Sequence, residues 1–356
     1  SFLHISNCGD KCLMINPPVL LITPYLQQPR GNTVTCQRLQ TGLTQMGYEV
    51  DVLALDSAQG WSEAEERLSR HHYGILHVLH AASLETVLQR LPAAGNLPLV
   101  ITATGTDINV DLFGPQRLQI GKALKRADRI VVFHKAFLSL LSSSIPDIAG
   151  KLRVITQGVM LPDCPAWERS AMQWQEDDII AVLPSGIRPV KRIEWALEAM
   201  ETAAVYSSHL RLVIVGPIID QRYAHTILRQ IEYIPRTVYL GEVEHRKIGG
   251  LYAAADIVLN TSQSEGQPQA ALEAMSLGLP AIMTAVTGNL GIMTNGREGF
   301  YVHDPQELSL AMLRLAEDKQ LRREMGSAAA RLVKEHYPAS AEWEQYHFLY
   351  QELAGK

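Results

Sequence analysis

The sequence predicts an α/β protein built from two Rossmann-like parallel-sheet domains that face a cleft. Two observations support this fold class. A chain of 356 residues is too long for one ordinary core and suits two domains of about 150 residues each. From Pro17 onward, short β-branched runs alternate with amphipathic stretches, which is the pattern of strands joined by helices around a parallel sheet. Because open parallel sheets bind ligands at the carboxyl ends of their strands, we expect the functional residues in the loops at the cleft.

Six strands are predicted in each half of the chain. The first six are residues 19–23, 49–54, 74–80, 97–103, 129–134 and 152–156. The second six are residues 179–183, 210–215, 237–240, 256–260, 280–284 and 299–302. Among the helices, residues 33–46 and 115–127 have the clearest boundaries, and Pro115 would occupy the first position of the second one.

A change in composition between Gly158 and Asp178 marks the predicted connection between the domains. This stretch contains two prolines, two tryptophans and an acidic run, which interrupt the alternation of strands and helices. The last segment carries an apolar helical face, so we expect it to cross back to the first domain. The predicted divisions are an N-terminal tail (1–16), an N-terminal acceptor domain (17–165), a C-terminal donor domain (166–336) and a C-terminal helix (337–356). The apolar face comprises Trp343, Tyr346, Leu349, Tyr350 and Leu353.

The bulk composition restricts the class of protein. With 47% hydrophobic and 19% charged residues the chain is expected to be soluble, and no apolar run approaches the roughly 18 residues of a membrane span. A net charge of -5 provides no field that would attract nucleic acid. The four scattered cysteines and the lack of a secretory signal favour the cytoplasm. One basic cluster leaves contact with a membrane surface or an acidic acceptor open; it comprises Lys122, Lys125, Arg126 and Arg129.

No cofactor or catalytic metal is expected. The strands are not followed by G-x-G-x-x-G, which weighs against a nicotinamide dinucleotide. Neither Asp-x-Asp nor a cluster of His and carboxylate residues accompanies the predicted cleft loops, so a divalent ion has no evident ligands. His4, Cys8 and Cys12 recur every four residues in the tail, but three such residues are only a weak metal pattern.

The stretch from Ser264 to Met275 is the most informative motif. It follows a predicted strand, and Pro268 suits the first turn of a helix whose free amides would bind a diphosphate. Glu265 precedes this helix. Glu273 lies inside it and can lean back toward the cleft, where a carboxylate accepts ribose hydroxyls; an exposed helical glutamate is the alternative. The predicted nucleotide-sugar ligands of this motif are Glu265, Gly266, Gln267, Pro268, Gln269 and Glu273.

A second motif joins the first strand of the second half to its helix. Gly186 opens it, and Arg188 and Lys191 follow three residues apart at the predicted helix start. A forked donor and a point charge at this spacing complement a leaving diphosphate, although a pair of solvated surface cations is the alternative.

The first half contributes three weaker motifs. Gly31 and Asn32 precede the first long helix, where glycine lets the backbone approach a ligand closely. Asp107 follows a strand and either orients a sugar hydroxyl or caps a helix. His80 and His134 fall at strand ends, where each either touches the acceptor or is an ordinary packed histidine.

Taken with their spacing, these motifs resemble the retaining glycosyltransferases of family 4, which have the GT-B fold. The resemblance runs from about Pro17 to Leu353, and its most specific part is the Glu-x7-Glu motif of Glu265 and Glu273. It implies that Glu265 faces the donor sugar, Glu273 faces the ribose, and Arg188 and Lys191 bind the diphosphate. Gly31 then corresponds to the glycine loop near the donor phosphates.

Smaller groups within the family share further motifs. The turns at Gln157-Gly158 and Gly288-Asn289, with the Gly105 to Asn109 stretch, resemble the vertebrate glycosyltransferase 1 domain-containing proteins. The stretch around Arg188 is similar to bacillithiol-pathway enzymes, and bacterial selenosugar synthases share the Gly31-Asn32 loop. Two departures are evident, because Thr104 replaces a histidine of many members and Pro268 replaces a second glycine.

These observations predict a metal-independent, retaining hexosyltransferase that moves a sugar from a nucleotide sugar, such as a UDP-sugar, to a small acceptor. Arg188, Lys191, Glu265 and Asp107 are the predicted catalytic residues. Two alternatives remain: a synthase that uses a selenium or sulfur nucleophile, and a nucleotide-sugar binding protein without turnover.

Overall fold

The computed structural model describes residues 16–26 and 31–355, and it contains two parallel six-stranded sheets. The predicted tail, including His4, Cys8 and Cys12, lies outside the described residues apart from Asn16. The strands of the first sheet are β1 (Val19–Thr23), β2 (Val50–Ala54), β3 (Ile75–Leu79), β4 (Leu99–Thr102), β5 (Arg129–Val132) and β6 (Leu152–Val154). The strands of the second are β7 (Ile179–Pro184), β8 (Leu210–Val215), β9 (Thr237–Tyr239), β10 (Ile257–Asn260), β11 (Ala281–Thr284) and β12 (Gly299–Val302).

Helices connect most consecutive strands of each sheet; β11 and β12 are joined by a loop without a helix. Those of the first half are α1 (Gly31–Gln45), α2 (Ala58–Ser69), α3 (Ser83–Arg90), α4 (Thr106–Asn109), α5 (Arg117–Arg126) and α6 (Ala136–Ser144). Those of the second half are α7 (Ile193–Ala203), α8 (Gln221–Ile231), α9 (His245–Ala254), α10 (Gln269–Ser276), α11 (Pro305–Glu317), α12 (Lys319–His336) and α13 (Ala339–Ala354). Within the described residues, none of these helices is long and apolar enough to cross a membrane.

The predicted strands are confirmed, each within about two residues at either end. Two proline positions are corrected. The Arg117 amide donates to the Gly114 carbonyl, so Pro115 lies in a turn before α5 rather than at its first position. Pro268 has a non-helical backbone and caps α10, which begins one residue later at Gln269.

The strand order places the cleft. The first sheet runs β2-β1-β3-β4-β5-β6 and the second β12-β11-β10-β7-β8-β9. The order reverses between β1 and β3 in the first sheet and between β7 and β10 in the second. At such a reversal the loops leave the sheet on opposite faces and open a crevice at the carboxyl ends of the strands. The loops after β7 and β10 carry the two strongest sequence motifs.

The last helix packs on the first domain, as predicted. Tyr346, Leu349, Tyr350 and Leu353 of α13 are buried against the first sheet and α1. An ion pair that is almost completely buried joins α13 to α1: Arg38 Nε donates to Glu342 Oε2 at 2.7 Å. A ring on α13, that of Trp343, lies directly on Gly42, where an added Cβ would overlap it.

Candidate functional site

The two strongest sequence motifs meet at one ion pair. Lys191 closes the short 3₁₀ turn after β7, and Glu265 lies in the loop after β10. Lys191 Nζ donates to Glu265 Oε1 at 2.6 Å, and the two side chains are 18% and 11% exposed. The pair is therefore partly shielded from water yet accessible from the cleft.

The Glu265 carboxylate is held by three donors on one oxygen. Besides Lys191, Ser262 Oγ at 2.6 Å and Asn260 Nδ2 at 3.0 Å donate to Oε1. Burial raises the pKa of Glu265, but Lys191 and these two hydrogen bonds outweigh it and keep the pKa below its usual value. Among the described residues no donor reaches Oε2. The carboxylate is thus ionised, fixed in orientation, and has one oxygen left for a ligand hydroxyl.

The Asn260 side-chain amide is itself held in place by Asn289. Asn289 Nδ2 donates to Asn260 Oδ1 at 3.2 Å and to the Thr284 carbonyl at 2.9 Å, and Asn289 is fully buried. This contact orients the Asn260 amide so that its NH₂ group faces Glu265. Sequence reasoning missed Asn260 and Ser262 as site residues, although polar residues directly after a buried strand are a readable signal.

Glycines let three loops converge on the backbone of Glu265. A Cβ on Gly288 would lie 2.1 Å from the Glu265 carbonyl oxygen. Gly105 of the first domain has a φ of 119° and approaches Gly266 so closely that a Cβ would lie 2.9 Å from its nitrogen. Asn109 Nδ2 also donates to the Glu265 carbonyl at 3.1 Å. The first and second domains therefore touch at the loop that carries Glu265.

Glu273, the second glutamate of the motif, pairs with a histidine that the sequence did not single out. Its side chain is almost fully buried in α10, and His245 Nε2 lies 3.0 Å from Glu273 Oε1 at the start of α9. His245 is 28 positions away along the chain, and no local pattern could have indicated it.

Gln267 and Gln269 do not direct their hydrogen bonds to the cleft. Gln267 binds the Gln157 backbone twice, accepting from its amide at 3.0 Å and donating to its carbonyl at 2.8 Å. Gln269 Nε2 donates to the Gly158 carbonyl at 2.8 Å. The side-chain amides are therefore used between the domains, and the role of both residues as nucleotide-sugar ligands stays a prediction.

Asp107 is completely buried, and both of its oxygens are occupied. Oδ1 accepts from the Gly105 amide and Oδ2 from the Ala81 amide, each at 3.0 Å. Asp107 is the second residue of α4, whose N-cap position is Gly105, so its carboxylate binds two loop amides instead of capping the helix, and its contact with a sugar hydroxyl stays a prediction. Asp107 joins the loop after β3 to the loop after β4.

The remaining predicted donor residues line the two switch points. Gly31 begins α1 and is exposed, and no other described residue lies within 4 Å of where its Cβ would be; Asn32 follows it half-buried. Gly186 follows β7 and packs against Ile219. Arg188 is half-buried in an extended conformation just before the Lys191 turn.

Both predicted histidines lie beside the cleft. His80 follows β3 with a φ of 71°, which is rare for a residue with a side chain, and its Nε2 lies 3.6 Å from Asp111 Oδ2. Burial raises the pKa of Asp111, although His80 opposes this. Burial and Lys135 lower the pKa of His134, which hydrogen-bonds the backbone of Leu290 across the cleft.

Other charged groups lie apart from these loops. In the basic cluster, Lys125 pairs with Asp147 and Arg129 with Glu352, while Arg126 donates to the Gly95 carbonyl. Among the described residues the one grouping with metal-ligand proximity is Asp177, Asp178 and His209. Asp178 in that group already accepts from Arg211 and from the Gln175 amide.

Comparison with known proteins agrees with this geometry. The family described as glycosyl transferases group 1 matches residues 178–318. The chain is 25% identical over 344 residues to glycosyltransferase 1 domain-containing protein 1 of Xenopus tropicalis, covering 93% of this chain and 96% of that protein. It is 24% identical to N-acetyl-alpha-D-glucosaminyl L-malate synthase of Bacillus anthracis, over 82% of this chain and 78% of that one.

Solved structures share the fold across the whole chain. Anabaena HepE, solved with UDP and glucose, superposes with a TM-score of 0.79 at 18% identity, covering 94% of this chain and all of that one. Sucrose-phosphate synthase of Thermosynechococcus elongatus gives 0.76 at 18% identity, covering 95% and 99%. The two sheets, their cleft and the returning helix thus define a GT-B protein. In sequence the chain is similar to the group 1 glycosyltransferases, whose family model matches its second half.

Proposed function

We propose that this glycosyltransferase moves a hexosyl group from a UDP-sugar to a small acceptor with retention of configuration and without a metal ion. The donor is suggested by HepE, which was solved with UDP-glucose. In this proposal residues 166–336 bind the donor, residues 17–165 bind the acceptor, and residues 337–356 tie the two domains together.

The observation that carries the proposal is the Lys191–Glu265 pair. Its 2.6 Å contact places a cation and an ionised carboxylate side by side at the switch point of the donor sheet. A nucleotide sugar presents the complementary pair of groups, a diphosphate and a sugar bearing hydroxyls. The free oxygen of Glu265 would accept from a sugar hydroxyl while Lys191 turns to the diphosphate.

Charge stabilisation on the leaving diphosphate would supply most of the catalysis. Negative charge develops there as the sugar departs, and preorganised cations stabilise that charge more than they stabilise the ground state. Arg188 and Lys191 fill this role, so no metal ion is required. The acceptor attacks from the leaving-group face, and its proton passes to the departing phosphate. That geometry retains the configuration of the sugar.

The other donor contacts are inferred from where the residues lie in the cleft loops. Glu273, oriented by His245, would accept from the ribose hydroxyls. Gly31, Asn32, Gly186 and Gly266 would place backbone amides close to the phosphates and the sugar. Pro268 would fix the start of α10. Asp107 would act as a positioning residue that holds the acceptor loops, with His80 near the acceptor.

The test is release of UDP from a panel of UDP-sugars, with and without candidate acceptors. We expect slow hydrolysis of one donor alone and faster turnover with a hydroxyl acceptor. Arg188→Ala should reduce turnover by a hundred- to a thousand-fold, about 2 to 4 kcal/mol of transition-state stabilisation. Binding of UDP-sugars without any release of UDP would instead identify a binding protein, and an inverted product would exclude the retaining mechanism.

A further inference from the structure

The two segments that connect the domains cross at a single point. The first passes through Gly158 and Val159, and the second through Tyr337 to Ala339. The Val159 amide donates to the Tyr337 carbonyl at 2.8 Å. A Cβ on Gly158 would lie only 2.3 Å from the Ala339 Cα, so the two backbones are in direct contact. Because both chain connections between the domains lie here, a rotation of one domain against the other must change the backbone at this crossing.

The loop that carries Glu265 is attached to this crossing by side chains. Gln267 makes two hydrogen bonds to the Gln157 backbone and Gln269 makes one to Gly158. Gln267 is only 7% exposed, so its bonds are shielded from water. We call these three hydrogen bonds the glutamine clasp.

From the other side, the last helix holds Gly158. Glu342 Oε2 accepts from the Gly158 amide at 3.0 Å and from Arg38 at 2.7 Å. The backbone amides of Gln157 and Gly158 therefore donate to side chains, whereas that of Val159 donates to the Tyr337 carbonyl. The conformation of the crossing depends on where those side chains are held.

We propose that the glutamine clasp couples the donor loop to the inter-domain crossing, so that a ligand at Glu265 and Gly266 sets the angle between the domains. Gln267 and Gln269 are then positioning residues that act through residues 157 and 158. Only one residue, Gly266, separates Glu265 from Gln267, so the donor loop cannot shift without moving the clasp. This inference rests on the proposed function, because it requires that the donor loop bind a nucleotide.

The experiment measures hydrogen exchange with and without UDP in the wild type and in Gln267→Met/Gln269→Met. Methionine keeps the size of the side chain and removes its hydrogen bonds. In the wild type we expect UDP to slow exchange in peptides covering 185–191 and 264–266, and also in 155–160, which the nucleotide does not touch. In the double variant the first two effects should remain and the effect at 155–160 should disappear.

Kinetic measurements and a control variant distinguish the loss of this coupling from a general loss of structure. The double variant should lose about three- to tenfold in kcat, as expected for one or two hydrogen bonds, with little change in the affinity for UDP. Gln267→Met alone keeps the Gln269 hydrogen bond to Gly158 and should lose less than the double variant. Gln40→Met, which removes a side-chain bond to the Val50 carbonyl far from the crossing, should behave as wild type.

Three results would overturn the inference. If UDP still protected residues 155–160 in the double variant, the glutamine clasp would not couple the donor loop to the crossing. Protection in the wild type at the donor loops without any at 155–160 would show that no coupling exists. Failure of UDP to protect 185–191 and 264–266 in the wild type would reject the proposed function itself, and the coupling with it.

Discussion

At the scale of single residues, Lys191 illustrates how one contact serves both stability and function. It compensates a carboxylate that is mostly buried, and its removal would leave that charge with only two neutral donors. Exposed pairs contribute little because water screens them, whereas removing one partner of a shielded pair leaves an unsatisfied charge. Sequence reasoning alone treats Lys191 as a ligand contact and gives no reason to expect this effect on stability.

Lys191→Met should therefore destabilise the protein at pH 7, and the deficit should shrink on acidification. In the wild type the pKa of folded Glu265 is below its unfolded value, so its stabilising contribution is present above about pH 4.5 and is lost as pH falls through the folded pKa. In the variant, burial raises that pKa and the carboxyl protonates earlier. Denaturant unfolding from pH 7 to pH 3 measures the difference. Lys247→Met, which breaks an exposed pair with Glu244, is the control and should show no such trend. A deficit that is constant with pH would contradict the assignment.

Gly31→Ala separates conformational from ligand effects at another single position. No atom of the described residues lies within 4 Å of the added Cβ, and Gly31 is in a helix, so stability should be unchanged or should rise by up to about 1 kcal/mol. If donor phosphates approach this backbone, the KM for the donor should nevertheless increase. Thermal unfolding and initial rates measure the two effects. Gly150→Ala, also without neighbours at its Cβ position, should change neither. An unchanged KM in Gly31→Ala would remove Gly31 from the donor site.

At the scale of elements, the return of α13 to the first domain depends on polar contacts as well as on apolar packing. Under its aromatic face, the His77 ring lies between the Thr102 and Tyr350 hydroxyls, at 2.7 and 2.6 Å. Burial lowers the pKa of His77 to about 3, so the ring is neutral and needs both neighbours to satisfy its nitrogens. Periodicity predicts that this helix is amphipathic, but it does not reveal the polar network beneath it.

Glu342→Gln should destabilise the protein strongly. Arg38 and Glu342 are 2% and 0% exposed, and removing one charge of such a pair typically costs about 3 to 5 kcal/mol because the other charge remains buried. Arg38→Met/Glu342→Leu should lose less than Glu342→Gln, since no buried charge is left. Urea unfolding of both variants measures this order. If the double variant were less stable than Glu342→Gln, the lost attraction within the ion pair, and not the unpaired buried charge, would account for most of the destabilisation.

At the scale of the whole molecule, contacts between the domains concentrate at three points: Gly105 on Gly266, His134 on Leu290, and the crossing at residues 157 and 158. One of these, Gly105 on Gly266, lies on the loop that the proposed donor would touch. Loops that close over a ligand exclude water from the reaction.

We expect a saturating UDP-sugar to reduce the radius of gyration in solution, because the donor would bring the loops of both domains together. Small-angle scattering with and without the donor measures this. Gly105→Ala should weaken the response, since a Cβ there meets the Gly266 backbone and a φ of 119° is strained for alanine. An equal radius of gyration with and without donor in the wild type would contradict donor-driven closure.

Sequence alone determined the strands, their parallel arrangement in two domains and the returning helix, because alternation of β-branched and amphipathic segments is a local property that survives folding. It also predicted Glu265, Glu273, Arg188 and Lys191 as site residues, because they lie in short motifs next to strand ends. Only the tertiary structure decided what these groups contact. Lys191 meets Glu265 across 74 positions of the chain, Gln267 meets Gln157 across 110, and Arg38 meets Glu342 across 304. Such pairings follow from the order of strands and the crossing of two segments, and neither leaves a periodic trace in the residues themselves.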